Sequence, residues 1–257
     1  MASTERHSDH WAPLQREFDA WAEAEQTATL WWRDDDATSP SDALSCLLDT
    51  ASDMPLAVAV IPQPASTELG ALLDSRPNVS VLQHGYAHTN HAPATEKKTE
   101  FGPHRPTDLM CSEIERGRSR LLRLFPGTFR PVFVPPWNRI GADIVRELGG
   151  LGFKANSTFG SHKGQTPLPH VNVHVDIIDW RGSRGFVGTA KAVKDIATHL
   201  AARRGGRTAP FEVTGLMTHH LDHDKETWRF LARLLELTRA HPASDWIGVD
   251  TLLETLS

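Results

Sequence analysis

The stretch TATLWWRDDDA, residues 27–37, decides how the rest of the chain reads. Its first half is apolar without polar alternation, the pattern of a strand covered on both faces, and it ends abruptly in three carboxylates. Outward from it the same unit recurs. Ser39 or Ser41 is placed to cap a helix over 42–53, and PLAVAVIP (55–62) follows as a fully apolar strand. Helix-like 66–76 leads to NVSVLQHG (78–85), and a long helix opening at Thr107 leads to FRPVFVPP (129–136). Further strands are expected at 154–159, 170–180, 210–220 and 245–250, with helices between them, and an amphipathic helix over 10–25 precedes the whole. Seven or eight short apolar strands alternating with helices imply parallel strands with helices on their faces, either a closed barrel or an open doubly wound sheet.

Composition narrows the function. With 257 residues, 39% of them hydrophobic, the chain is long enough for one core, and a single domain over 1–257 is expected, with 1–25 as a helical extension. The net charge of −5 and pI near 6.3 disfavour nucleic acid and anionic membranes as partners, and the basic pieces ARRGGR and WRGSRG read as solvated loops. Two cysteines, Cys46 and Cys111, are too few for a disulfide framework and are read as free buried thiols. The charged N-terminus has no apolar signal run, and no stretch approaches the ~20 apolar residues of a membrane span. The expectation is a cytoplasmic protein with a small-molecule or oligosaccharide substrate.

The unusual polar residues gather at strand ends, where barrels of this class keep their reacting groups. They are Asp34, Asp35 and Asp36; His84 with His88; Trp137 and Asn138 after Pro135-Pro136; His174, Asp176, Asp179 and Trp180; and His219 with His220. Three adjacent carboxylates repel one another unless a cation intervenes. His84 and His88, at i and i+4, are read as one face of a helical turn, and imidazole with carboxylate is a ligand set for zinc-type ions. Strand alternation puts Val213, Gly215, Met217 and His219 on the interior face. The long loop from about 87 to 106 carries Glu100 and Phe101, read as closing over a substrate.

In this order the motifs resemble those of the polysaccharide deacetylases, carbohydrate esterase family 4. WWRDDDA resembles the family's Thr-Phe-Asp-Asp-Gly, with Asp35 and Asp36 on the two aspartates and Asp34 and Asp35 as the one-residue alternative. His84-Gly-Tyr-Ala-His88 matches His-x-x-x-His, Pro135-Pro136-Trp137-Asn138 resembles Pro-Pro-Tyr-Gly, and DIIDW and LMTHH resemble the last two motifs. The resemblance spans residues 30 to 220 and implies a distorted (β/α)7 barrel that removes an acetyl group from an N-acetylated sugar. It implies that Asp36, His84 and His88 hold the ion, Zn2+ first among the choices. It makes Asp35 the general base and His219, with His220 as competitor, the general acid. Asp176 or Asp179 would keep that acid charged, and Trp137, Asn138, Trp180 and His174 would line the substrate pocket. Val134 stands where the family has an arginine that holds the base, leaving Arg33, Arg130 or Arg139 to substitute. The alternatives are hydrolysis of another C–N bond, in a cyclic ureide or formamide, and a non-catalytic sugar- or metal-binding relative.

Overall fold

A computed structural model describes residues 9–161 and 166–256. Its described strands are β1 (Ala28–Ala37), β2 (Leu56–Val60), β3 (Val79–His84), β4 (Phe129–Val134), β5 (Ala155–Asn156), β6 (Val175–Asp176), β7 (Thr214–Thr218) and β8 (Ser244–Trp246). They pair in parallel in the order β5-β4-β3-β2-β1-β7-β6. The ring closes through an irregular stretch before β6. Val171 and Val173 N–H donate to Asn156 and Thr158 O on one side, and His174 N–H donates to Gly215 O of β7 on the other. The result is a distorted (β/α)7 barrel. β8 lies outside the ring, against the start of β1, where Ala28 pairs with Ser244.

The sequence expectation of long strands over 154–159 and 170–180 is corrected here. Only β5 and β6 are regular, and the rest pairs through single bridges such as Phe159 with Val173.

The helices are α1 (Ala12–Glu23), α2 (Asp42–Ala51), α3 (Thr67–Asp74), α4 (Thr107–Leu124), α5 (Ala142–Leu148), α6 (Thr189–Arg204), α7 (Lys225–Ala240) and α8 (Val249–Glu254). Their starts follow from side-chain caps. Ser41, not Ser39, accepts from Leu44 N–H at 3.0 Å ahead of α2, and Asp224 forms a reciprocal capping box with Thr227 ahead of α7. α1 is no loose appendage, because Leu14, Phe18 and Trp21 are buried in the same apolar layer as the inner faces of α2 and α7. Each such burial contributes roughly 1.5–3 kcal/mol. Cys46 is exposed and Cys111 half-buried, which corrects the expectation of buried thiols.

Strand alternation sorts residues between two apolar layers. Leu30 and Trp32 of β1, with Val58 and Val60 of β2, pack outward under the helices. Trp31, Ala57, Ala59, Leu82, Val132 and Met217 fill the barrel interior. Small alanines on β2 make room for the indole of Trp31, whose N–H donates to Asn172 O at 3.0 Å. Gly215 is required by the same indole, since a Cβ there would lie 2.5 Å from Trp31 Nε1. Trp31 thus plugs the barrel below, and polar side chains sit above it at the carboxyl ends of the strands.

Candidate active site

β1 sends its three carboxylates in three directions. Asp34 points outward, where its Oδ1 meets His220 Nδ1 at 2.5 Å and its Oδ2 accepts from Thr218 Oγ1 at 2.6 Å; Trp32 Nε1–H in turn donates to that hydroxyl. Burial pushes the Asp34 carboxyl up, but the charge and hydrogen bond of His220 outweigh it and hold it low. Asp35 points into the barrel with Arg33. There Arg33 Nε lies 2.8 Å from Oδ1 and Nη2 2.9 Å from Oδ2, a bidentate grip between two side chains shut off from water. The same guanidinium donates to Ser157 Oγ at 2.7 Å and to Asn138 Oδ1 at 3.0 Å.

Of the three arginines left open by the sequence, Arg33 is therefore the one that holds Asp35. Arg130 pairs with Asp250, and Arg139 donates to Lys98 O.

Strict alternation would turn Asp36 outward like Asp34. A break in register between Asp34 and Ala37 against β2, with φ +74 at Asp36, swings it to the barrel mouth instead. Its Oδ1 there lies 3.0 Å from His84 Nε2 and 3.4 Å from His88 Nε2. Burial raises the Asp36 carboxyl, yet the hydrogen bond and charge of His84, then the charges of His219 and His88, win and hold it well below the usual range.

The two imidazoles do not share a helical turn, which corrects the sequence reading. His84 ends β3, and a loop with left-handed Gly85 (φ +58) and His88 (φ +56) folds the second ring back. Glu100 holds that loop. Its carboxylate accepts from Ala87 N–H at 2.7 Å and Tyr86 N–H at 3.1 Å, and it is buried, as is Phe101. Neither residue is free to close over a substrate, so that expectation is replaced: Glu100 is a staple beneath the histidine loop. A Cβ on Gly85 would collide with the Glu100 carboxylate and with Pro136.

The donor set fits a metal ion. His84 Nδ1 lies 3.0 Å from Val134 O, and a carbonyl only accepts, so Nδ1 carries the proton. In the neutral ring Nε2 then directs a lone pair at the Asp36 carboxylate oxygen, and a cation between them would satisfy both. Asp36, His84 and His88 bring their ligand atoms within 4.8 Å of one another.

A second group, His174, His199 and Glu212, looks alike, but His174 has the opposite tautomer. Its two Nε2 atoms lie 2.8 and 3.0 Å from Glu212 Oε1. Gly215 N–H, however, donates to His174 Nδ1, so in the neutral ring Nε2 bears the proton and has no lone pair for an ion. Burial pushes His174 down to about 4. The cluster sits below β6 and β7, with His199 near the C-terminal end of α6 stacked on His174 at 3.7 Å. The expectation that His174 lines a substrate pocket is thereby corrected: its side chain is only 2% exposed and is spent on this network.

His219 follows β7 at the mouth, and the Val213, Gly215, Met217 alternation does face the interior as read. Trp180 meets the His219 ring edge-on at 4.7 Å and donates its indole N–H to Asp176 Oδ2 at 2.7 Å. Burial raises the Asp176 carboxyl against the pull of Ile178 N–H and the His219 charge. Asp176 is thus the carboxylate that faces His219. Asp179 is turned away into its own loop, accepting from Gly182 and Ser183 N–H. On the opposite flank Trp137 packs on His88 at 4.4 Å, and Trp137 and Asn138 both take φ +55. Such strained backbone gathers where the surrounding structure enforces it. Ser157 contacts Arg33 without having been singled out, and nothing in its sequence context marks it; Met217, placed on the interior face by alternation, touches the same guanidinium.

No family model matches the sequence, and no curated protein matches it. Solved structures do. A Mycobacterium smegmatis protein described as a polysaccharide deacetylase superposes with TM-score 0.66 at 16% identity, over 89% of this chain and 90% of that one. PuuE allantoinase does so with TM-score 0.62 at 12% identity, over 89% of each, and a Streptococcus mutans CE4 esterase with 0.58 at 12%, over 89% and 88%. The chain has the fold shared by polysaccharide deacetylases and CE4 esterases.

Proposed function

We propose that the chain is a metal-dependent hydrolase of carbon–nitrogen bonds, an N-deacetylase of an N-acetylated amino sugar or oligosaccharide. The observation that carries this reading is the single mouth at which Asp36, His84 and His88 converge, flanked by Arg33-gripped Asp35 and by His219. A divalent ion held there, with Zn2+ the first choice for two imidazoles and a carboxylate, would polarise the amide carbonyl and acidify water. Asp35 takes the proton from the attacking water, and Arg33 keeps both its oxygens oriented for that task. His219, with Asp176 facing it, gives a proton to the departing amine. Water is thus split across the C–N bond, hydroxyl to the acyl carbon and proton to nitrogen. Trp137 and Trp180, on either side, offer faces on which a sugar ring can stack.

The net charge of −5 agrees with a small-molecule or oligosaccharide substrate, and the two free cysteines agree with a cytoplasmic setting. No described helix is long and apolar enough to cross a membrane. The test is acetate release from N-acetylglucosamine oligomers, abolished by a chelator, restored by zinc and absent in Asp35→Asn. A chain that releases no acetate but opens a cyclic ureide or a formamide would favour the second reading, to which the departure at Val134 and the fold of an allantoinase lend support. A binding-only relative is disfavoured because Asp35 and His219 are both present and placed.

A further inference from the structure

Resting on that reading of the mouth, we infer that the cavity beside it, floored by Asn156 and rimmed by Arg139 and Arg146, is a subsite for an oxyanion group on the substrate. The cavity has a volume of about 560 Å³, within the usual range for small-molecule sites. It lies between the start of α5 and the irregular closing stretch of the barrel, and Asn138 belongs to both places. Asn138 lines the cavity and also accepts from Arg33, the residue that grips Asp35. A ligand in the cavity is therefore next to the reacting groups.

Two observations point to what it binds. Asn156 is wholly buried at the end of β5, yet neither its Oδ1 nor its Nδ2 has a hydrogen-bond partner. A buried amide with donor and acceptor both unmet is costly unless something else supplies the partner. The charge is also one-sided. Arg139 and Arg146 line the cavity, and no acidic residue does so among the described residues. Arg139 spends one nitrogen on Lys98 O, and Arg146 pairs with Asp143 at the exposed rim, which leaves further N–H groups on each guanidinium. Lys98 adds a third cation nearby, 5.9 Å over the Trp137 ring. Guanidinium forks match carboxylate and phosphate oxygens, and the shared chemistry of these is the oxyanion.

The test measures binding by calorimetry on the full chain after chelator treatment, so that turnover plays no part. N-acetylglucosamine is the neutral probe, N-acetylglucosamine 6-phosphate the phosphate probe and N-acetylmuramic acid the carboxylate probe. At least one anionic sugar should bind about tenfold tighter than the neutral one, and which of them does so identifies the oxyanion. That advantage should vanish in Arg139→Gln/Arg146→Gln and shrink in Asn156→Ser, with thermal melts confirming that both variants fold. Equal binding of all three sugars overturns the inference, as does an anionic advantage that survives the double arginine variant. The two proposals fail separately. Tight anion binding without acetate release keeps the subsite and removes the deacetylase, whereas acetate release with no anionic preference removes the subsite alone.

Discussion

Arg33 and Asp35, two residues apart on β1, face the same side of the strand and meet oxygen to nitrogen twice, at 2.8 and 2.9 Å, inside the barrel. Neither is solvated: Arg33 is 0% and Asp35 2% exposed. Removing one member of a buried pair strands the other charge, so Arg33→Met should destabilise the protein by about 3–5 kcal/mol. Arg33→Lys should keep more stability but lose rate, because one ammonium cannot grip both oxygens. Urea unfolding and kcat measured together check this, and an Arg33→Met midpoint equal to wild type would refute it.

Metal content should separate the two histidine clusters. Asp36→Asn and His84→Ala should lower affinity for a zinc-type ion by at least about 100-fold, while His174→Ala should retain it, since its Nε2 carries a proton. Asp35→Asn should keep the ion and lose turnover by roughly 100- to 10,000-fold. Total metal analysis of protein purified without added ions reads the first three variants. Stoichiometric ion in the Asp36 variant would remove the assignment.

Glu100 touches no reacting atom, yet His88 depends on it. In Glu100→Gln an amide nitrogen would face Ala87 or Tyr86 N–H, donor against donor, and the loop should loosen. Ion affinity should fall about 10- to 100-fold with little change in kcat at saturating metal, whereas Glu100→Asp should recover part of it. Loss of kcat at full occupancy would mean that Glu100 acts on the chemistry itself.

Acid should weaken the fold through His174. Its folded value near 4 lies below the usual 6.5, because burial opposes the charged ring. Between those values the unfolded chain binds the proton and the folded one does not, so stability is full above about 6.5 and falls as pH drops towards 4. The loss amounts to roughly 3 kcal/mol. Glu212, held low against burial by His174 and His199, adds a loss of the same sign further into acid. Unfolding free energies from pH 7 to pH 4 should therefore show a steeper slope in wild type than in His174→Phe. Parallel slopes would contradict this.

The barrel and the cast of the mouth were legible because apolar strands ending in His, Asp and Trp leave those side chains nowhere to go but the rim. Division of labour among Asp34, Asp35 and Asp36 came from the family resemblance and not from periodicity, because alternation alone pairs Asp34 with Asp36. The register break and the positive φ that separate them leave no mark in the alternation of the strand. His84 and His88 were found by spacing that suggests a helix, although Gly85 and His88 build a left-handed loop. Glu100 was misread because its burial comes from contacts with 86 and 87, which no periodicity reveals. Asp179 and His174 share sequence neighbourhood with Asp176, but one caps a turn and the other faces α6.

The acidic run on β1 answers to separate partners: His220 for Asp34, Arg33 for Asp35 and the paired imidazoles for Asp36. It therefore does not behave as one pooled charge. A change at one carboxylate is therefore felt first by its own partner: losing Asp36 leaves the Arg33–Asp35 and His220–Asp34 pairs in place, whereas losing Asp35 leaves a guanidinium buried without its anion, so this barrel can shed its ion site more cheaply than its base.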